Sequence, residues 1–157
     1  MYLRFYLDQL IHFLSANSRH GTHSPFLYHL VDEVIYAKRQ TSEPRDPFKR
    51  LTARLIERVK PTQVYVLGDE RLEGPLDFVI AESGDADWIS LQIEGLWSAL
   101  HPGSVVVLEG IHRNDGMKRL WRALKAEPEA TVTVDLFHAG LVFFHQGQAK
   151  EDFKIRL

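Results

Sequence analysis

"VYVLGDERLEGPLDFVI", residues Val64 to Ile80, decides the fold. Val64–Leu67 is an apolar run closed by Gly68, the pattern of a buried strand that hands its chain to a nucleotide-binding turn and a helix. A second apolar run, Leu76–Ala81, starts after only the seven residues Asp69–Pro75. A helical crossover between parallel strands needs roughly ten to twelve residues or more. Seven extended residues reach about 23–25 Å, enough to run back along a short strand and too few to build a helix. The spacing leaves two arrangements open: a parallel pair with an extended return, or an antiparallel hairpin.

Upstream of this stretch the pattern is helical. Tyr2, Leu3, Phe5, Tyr6, Leu10, Phe13 and Leu14 form a broad apolar stripe at helical spacing. Ser24 is a candidate N-cap, with Pro25 at the first helical position and an apolar face running to about Ala37. The polar, proline-containing "KRQTSEPRDP" is a loop, and the same cap logic starts a third helix at Asp46–Pro47. Downstream, Ala86–Leu100 carries apolar residues at helical spacing and is stopped by "HPG". "SVVVLEG" is a third buried strand, and Asn114 caps a further helix reaching about Lys125. "ATVTVDLFHAGLVFFHQ" reads as two strands joined by a tight turn at His138–Ala139–Gly140. The expected architecture is an N-terminal helical segment, residues 1–60, packed on an α/β unit, residues 61–157, closed by an antiparallel hairpin.

Composition narrows the function classes. The 157 residues are 45% hydrophobic and 25% charged, with a formal charge of −2, so no global charge favours nucleic acid or an anionic membrane. Basic pairs such as Lys49–Arg50 and Lys118–Arg119 have acidic neighbours and read as solvated helix faces. There is no cysteine, which excludes disulfides, thiolate metal sites and thiol nucleophiles. The apolar N-terminus is interrupted by Arg4 and Asp8 and falls short of the ~18 apolar residues of a membrane span, so it reads as neither signal peptide nor anchor. A cytoplasmic protein is expected. Neither a G-x-S-x-G elbow nor a G-x-x-x-x-G-K-[ST] loop nor an H-E-x-x-H motif is present.

Three segments carry a resemblance. "RHGTHSPFLYHLV", "LHPGSVVVLEGIH" and "TVTVDLFHAGLVFFHQGQAKEDFKIRL" resemble a group of O-methyltransferase-like proteins within the class I S-adenosylmethionine-dependent methyltransferases. The likeness runs from about Arg19 to Leu157 with one large gap, at the opening stretch. In the family, the first strand is followed by a Gly-rich turn and helix, then a second and a third strand with their helices. The acidic end of the second strand holds the cofactor ribose. Here Leu67–Gly68 matches the end of the first strand, "LDFVIAES" matches the fourth, and "DERLEGP" replaces everything between. The resemblance therefore implies a truncated Rossmann-like sheet of about five mostly parallel strands. The family order 3-2-1-4-5-7-6 becomes 1-4-5-7-6, and the Val64–Leu67 and Leu76–Ala81 strands pair in parallel.

The same resemblance nominates site residues. Gly68, Asp69 and Glu82 stand at vestiges of the cofactor site. Glu109 and His112, in "LEGIH", stand where related enzymes have a D-D-x-H-like metal and catalytic segment, with Gly110 in place of one carboxylate. Together with Glu82 they could hold a divalent metal or act as an acid–base pair; the alternative is a set of polar loop residues at a former active-site rim. His20 and His23 would face the substrate side or pack locally before the helix at Pro25. No cofactor is expected, unless the family activity and its S-adenosylmethionine are retained. Two functions follow: a non-catalytic binding or assembly module, or an active O-methyltransferase that completes its cofactor site across a dimer or with a partner chain. Removing two strands exposes Gln63–Leu67 as a sheet edge, so the N-terminal helices, a partner protein or a second copy in a homodimer should cover it.

Overall fold

The computed structural model describes residues 2–16, 25–70, 73–82 and 84–156. Among the described residues, five α-helices and six strands occur in the order α1 (Tyr2–Ser15), α2 (Pro25–Leu30), α3 (Pro47–Val59), β1 (Val64–Val66), β2 (Leu76–Ala81), α4 (Ala86–Leu96), β3 (Leu100–Glu109), α5 (Asp115–Ala126), β4 (Val132–Asp135), β5 (Ala139–Phe143) and β6 (Glu151–Lys154). A π-turn, Val31–Ile35, extends α2, and a 3-10 turn, Trp97–Ala99, follows α4. The strands form one mixed sheet in the order β1-β2-β3-β5-β4-β6. The β1–β2, β2–β3 and β4–β6 ladders are parallel; β3–β5 and β4–β5 are antiparallel.

The open question at Val64–Ile80 is resolved as a parallel pair, with Val64 opposite Phe78 and Val66 opposite Ile80. The helices start where side chains can cap them. The Asp46 carboxylate accepts from the Lys49 N–H, with Pro47 next in line, and Asn114 accepts from the Met117 N–H. Asp85 caps α4 through the N–H groups of Asp87 and Trp88.

Side chains alternate across the sheet and both faces are buried, which explains the near-continuous apolar strands. Val79, Ala81, Val106, Leu108 and Val142 pack beneath α4 and α5. Phe78, Ile80, Val105, Val107 and Leu141 face the other way, onto α2, its π-turn and α3. Burying a side chain of this size stabilises the fold by about 1.5–3 kcal/mol relative to leaving it exposed.

Four expectations are corrected. The sheet has six strands, because Glu151–Lys154 adds a parallel edge beside β4; its short polar sequence lacks the alternation that marks a strand. The third sheet strand starts at Leu100, not Ser104, and includes His101–Pro102–Gly103. The Ser104 hydroxyl holds this irregular start by donating to Leu76 O and accepting from the His101 N–H. The hairpin turn is Leu136–His138, since Ala139 and Gly140 already belong to β5. Finally, the exposed edge at Gln63–Leu67 shrinks to the three residues of β1, and a very short edge strand itself limits unwanted pairing. Among the described residues, no helix is long and apolar enough to cross a membrane.

Candidate functional site

Asp135 closes β4 at the carboxyl end of the parallel strands, the edge where β1, β2 and β3 also finish. The hairpin that follows bends sharply: Phe137 takes a left-handed backbone (φ 67°), and its N–H donates to Asp135 Oδ1 at 2.9 Å. Leu136 N–H donates to Ala139 O, and Gly110 N–H donates to His138 O at 2.7 Å. The hairpin and the loop after β3 are thereby fixed to one another.

Four elements converge on the Asp135 side chain. His112, in the loop after β3, places Nε2 2.7 Å from Oδ2, and Trp121 of α5 donates its indole N–H to the same oxygen at 3.1 Å. His12 of α1 places Nε2 2.9 Å from Oδ1 and 3.2 Å from the Asp135 carbonyl oxygen. The fourth is the hairpin itself, through the Phe137 N–H. A carboxylate can only accept, so both imidazoles present Nε2–H toward it. The His112 ring stacks on Phe137 with the planes 8° apart, and His12 meets both rings edge-on. Burial pushes the Asp135 carboxyl up, but the hydrogen bonds from His112 and His12 outweigh it and hold the group well below the usual carboxylate range.

Beside this cluster lies an open cleft of about 460 Å³ between α1 and α5, lined among others by His112, Lys118, Arg122 and Lys154. Two of its basic residues are paired, Lys118 with Asp8 and Asp115 and Arg4 with Asp115, while Arg119, Arg122, Lys125 and Lys154 give the lining an excess of positive charge. Chemically, an imidazole held by a carboxylate through one nitrogen can exchange a proton at the other. His112, a fifth exposed at its side chain, is the member of the cluster with the greater access to solvent.

The residues nominated from the sequence are only partly brought together. His112 is in the cluster, but the carboxylate it pairs with is Asp135 rather than Glu109. Glu109 ends β3 half-buried, with its carboxylate 4.0 Å from the Arg113 guanidinium. Gly110 has a left-handed backbone (φ 67°), and a Cβ there would stand 2.9 Å from Arg113 Nη2. Glu82 is exposed just beyond β2. Among the described residues no three His, Asp or Glu side chains are arranged to hold a metal ion, so the trio Glu82, Glu109 and His112 does not form such a group. Gly68 is left-handed as well (φ 99°), and a Cβ there would lie 3.5 Å from the Trp88 ring of α4. Asp69 continues that turn, donating its N–H to Val66 O and accepting from the Tyr65 hydroxyl at its carbonyl oxygen. His20 and His23 lie outside the described residues.

Asp135, His12 and Trp121 are absent from the residues nominated by sequence. Asp135 did leave a signal. A carboxylate ending the buried run "VTVD" must be paired or strongly hydrogen-bonded. His12 and Trp121 sit among apolar residues at helical spacing and read as packing residues. Only the tertiary fold shows their polar edges turned to one carboxylate. No family model matches this chain, and neither a curated protein nor a solved structure does.

Proposed function

We propose that the chain is an internally shortened relative of the class I methyltransferases, acting as a binding or assembly module and not as a methyl-transferring enzyme. The observation that carries this reading is the parallel β1–β2 ladder, whose connection, residues 67–75, opens no helix among its described residues. The order β1-β2-β3-β5-β4 is the order left when two strands and their helices are removed from the methyltransferase sheet. β6 departs from that order as an added edge.

The local chemistry supports the same reading. A cofactor fingerprint uses glycine so that backbone can approach the ligand, with a helix N-terminus behind it. At Gly68 a Cβ would meet the Trp88 ring at an ordinary 3.5 Å, and no helix opens among the described residues of 69–75, which supports a reading without S-adenosylmethionine. At Gly110 the left-handed backbone (φ 67°) disfavours the side chain that the family carries there. His112 is engaged by a buried aspartate that also bonds α1, α5 and the hairpin. That arrangement joins elements of the fold.

Calorimetric titration with S-adenosylmethionine and S-adenosylhomocysteine tests the proposal. The expected result is no saturable heat at ligand concentrations of about 1 mM, which leaves no affinity beyond about −4 kcal/mol. A micromolar dissociation constant overturns it and restores the rival, a working methyltransferase whose cofactor site is completed by another chain.

A further inference from the structure

Helix α1 is turned inside out. An amphipathic helix on a protein surface normally buries its apolar stripe and exposes the polar one. Here His12 and Ala16 are buried, and Asp8 and Arg4 reach α5 through Lys118 and Asp115. The outward face carries Leu3, Leu7, Leu10 and Leu14, each at least half exposed and the outer two 74% and 70% exposed. Tyr6 and Ile11 flank this seam and are exposed too.

The spacing of the leucines is four, three and four residues, the a/d alternation of a helix-pairing seam. The set is also symmetric about the middle of the helix. In an antiparallel pair related by a two-fold axis, Leu7 meets Leu10 of the other copy, Leu3 meets Leu14, and Tyr6 meets Ile11. Among the described residues, the body of each copy lies on the far side of its own helix, behind His12, Asp8 and Arg4.

From these observations we infer that the outer face of α1 is a homodimer interface, formed by antiparallel pairing with α1 of a second copy. The area suffices. With ~200 Å² for a fully exposed large side chain, the exposed apolar residues of α1 present on the order of 800 Å², the share of one partner in a standard-size interface and more than the ~300–600 Å² of the largest patch on a typical monomer. A lipid surface fits less well. Interfacial helices keep a Lys- and Arg-rich polar face at the membrane boundary, whereas the charged residues of α1 pair with α5 of the same chain. The interface gives the assembly role proposed above a partner and in that respect rests on it, although the exposed seam stands without the methyltransferase reading. It also places the contact on α1 and not on the β1 edge.

Sedimentation equilibrium on the full chain decides the matter. The expected mass at about 100 µM is twice the 18.1 kDa of the chain, since a pair with even ~10 µM affinity associates there. Leu7→Lys/Leu10→Lys, at the centre of the seam, should weaken association by at least ~100-fold. Circular dichroism should show the fold retained, because both side chains are exposed. Leu91→Lys on α4, 65% exposed and away from the seam, should leave the dimer intact. A wild-type chain that stays monomeric at this concentration overturns the inference, as does a dimer that survives the double substitution. Flotation of the wild-type chain with neutral phosphatidylcholine vesicles, abolished by the double substitution, overturns it in favour of a lipid surface. Cofactor titration of the monomeric variant separates this outcome from that of the function proposed above.

Discussion

Asp135→Ala removes the acceptor on which three other elements and the hairpin converge. The substitution leaves the Phe137 N–H, the Trp121 indole N–H and the His12 imidazole without their carboxylate, in surroundings where Trp121 and Phe137 are under 5% exposed and His12 is 6% exposed. Each stranded buried donor costs about 1–3 kcal/mol, and local relaxation and partial hydration make the total smaller than the sum. The expected loss is about 3–5 kcal/mol, the range for breaking a buried charged network, which is a large share of a typical stability of ~5–15 kcal/mol. Should Asp135→Ala fail to fold, Asp135→Asn keeps the shape and one acceptor but turns its NH2 to either the Phe137 or the Trp121 N–H, neither of which can accept, and so costs one stranded donor besides the charge-assisted part, about 1–3 kcal/mol. Urea unfolding at pH 7 measures both. The pH dependence adds a second check. The folded-state pKa of Asp135 lies below its unfolded value, near 3.9, so the carboxylate contributes its full stabilisation above that value and loses it as the pH falls toward the folded pKa. The wild type should lose stability below about pH 4, and Asp135→Asn should lose less over the same interval. A loss under ~1 kcal/mol for Asp135→Ala, or identical acid limbs for wild type and Asp135→Asn, refutes the reasoning.

Two more substitutions probe how the sheet is held. Gly140→Ala would set a Cβ 2.6 Å from Trp121 Cζ3 and 3.0 Å from Ile111 Cγ2, both fully packed side chains, so thermal unfolding should show a destabilisation of about 1–3 kcal/mol; an unchanged Tm would mean that Trp121 yields freely. Asp77 accepts from the Thr62 and Gln63 N–H groups and from His101 Nε2, and the His101 hydrogen bond holds its carboxyl below the ordinary range. Asp77→Ala should therefore loosen the entry to β1, costing about 1–2 kcal/mol at a side chain one-fifth exposed, with faster amide exchange at Tyr65 and Val66 as the local readout; exchange unaltered there would refute the tether.

The legibility of the fold followed its physics. Strands buried on both faces are written as continuous apolar runs, and Leu76–Ala81 and Val105–Leu108 are readable for that reason; Val64–Leu67 is as apolar, although β1 is an edge strand with Val64 exposed. Helix starts at Pro47 and Asp115 were readable because their caps are local hydrogen bonds. What local pattern does not encode was missed. β6 is mostly polar and held to β4 by backbone pairing over residues 151–154, by the Thr133 hydroxyl donating to Asp152 and by Phe153 on the core. The turn at Leu136–His138 depends on a left-handed Phe137 that no glycine advertises. The site differs for a like reason: the family resemblance nominates His112 beside Glu109, while the carboxylate it bonds lies 23 residues away on β4.

The buried carboxylate and the exposed leucines have one cause, which yields a last prediction. A 14-residue helix presents two faces, and α1 is docked by its polar one: His12 to Asp135, Asp8 to Lys118, Arg4 to Asp115. These contacts are directional, so they set the rotation of α1 about its axis and thereby aim Leu3, Leu7, Leu10 and Leu14 outward. His12 is the buried member of the set and lies seven residues from Phe5, which packs on Phe137 two turns away on the same face. Replacing His12 by Leu would keep the volume, remove the bond to Asp135 and let α1 roll its apolar stripe inward. His12→Leu should then cost about 1–3 kcal/mol in urea unfolding and also weaken self-association in sedimentation, although no seam residue has been altered. Asp8→Ala, whose bond to Lys118 lies nearer solvent, should do the same more weakly. If His12→Leu destabilises the chain while the dimer keeps its wild-type affinity, the rotation of α1 is set by something other than Asp135, and the link between core and interface is broken.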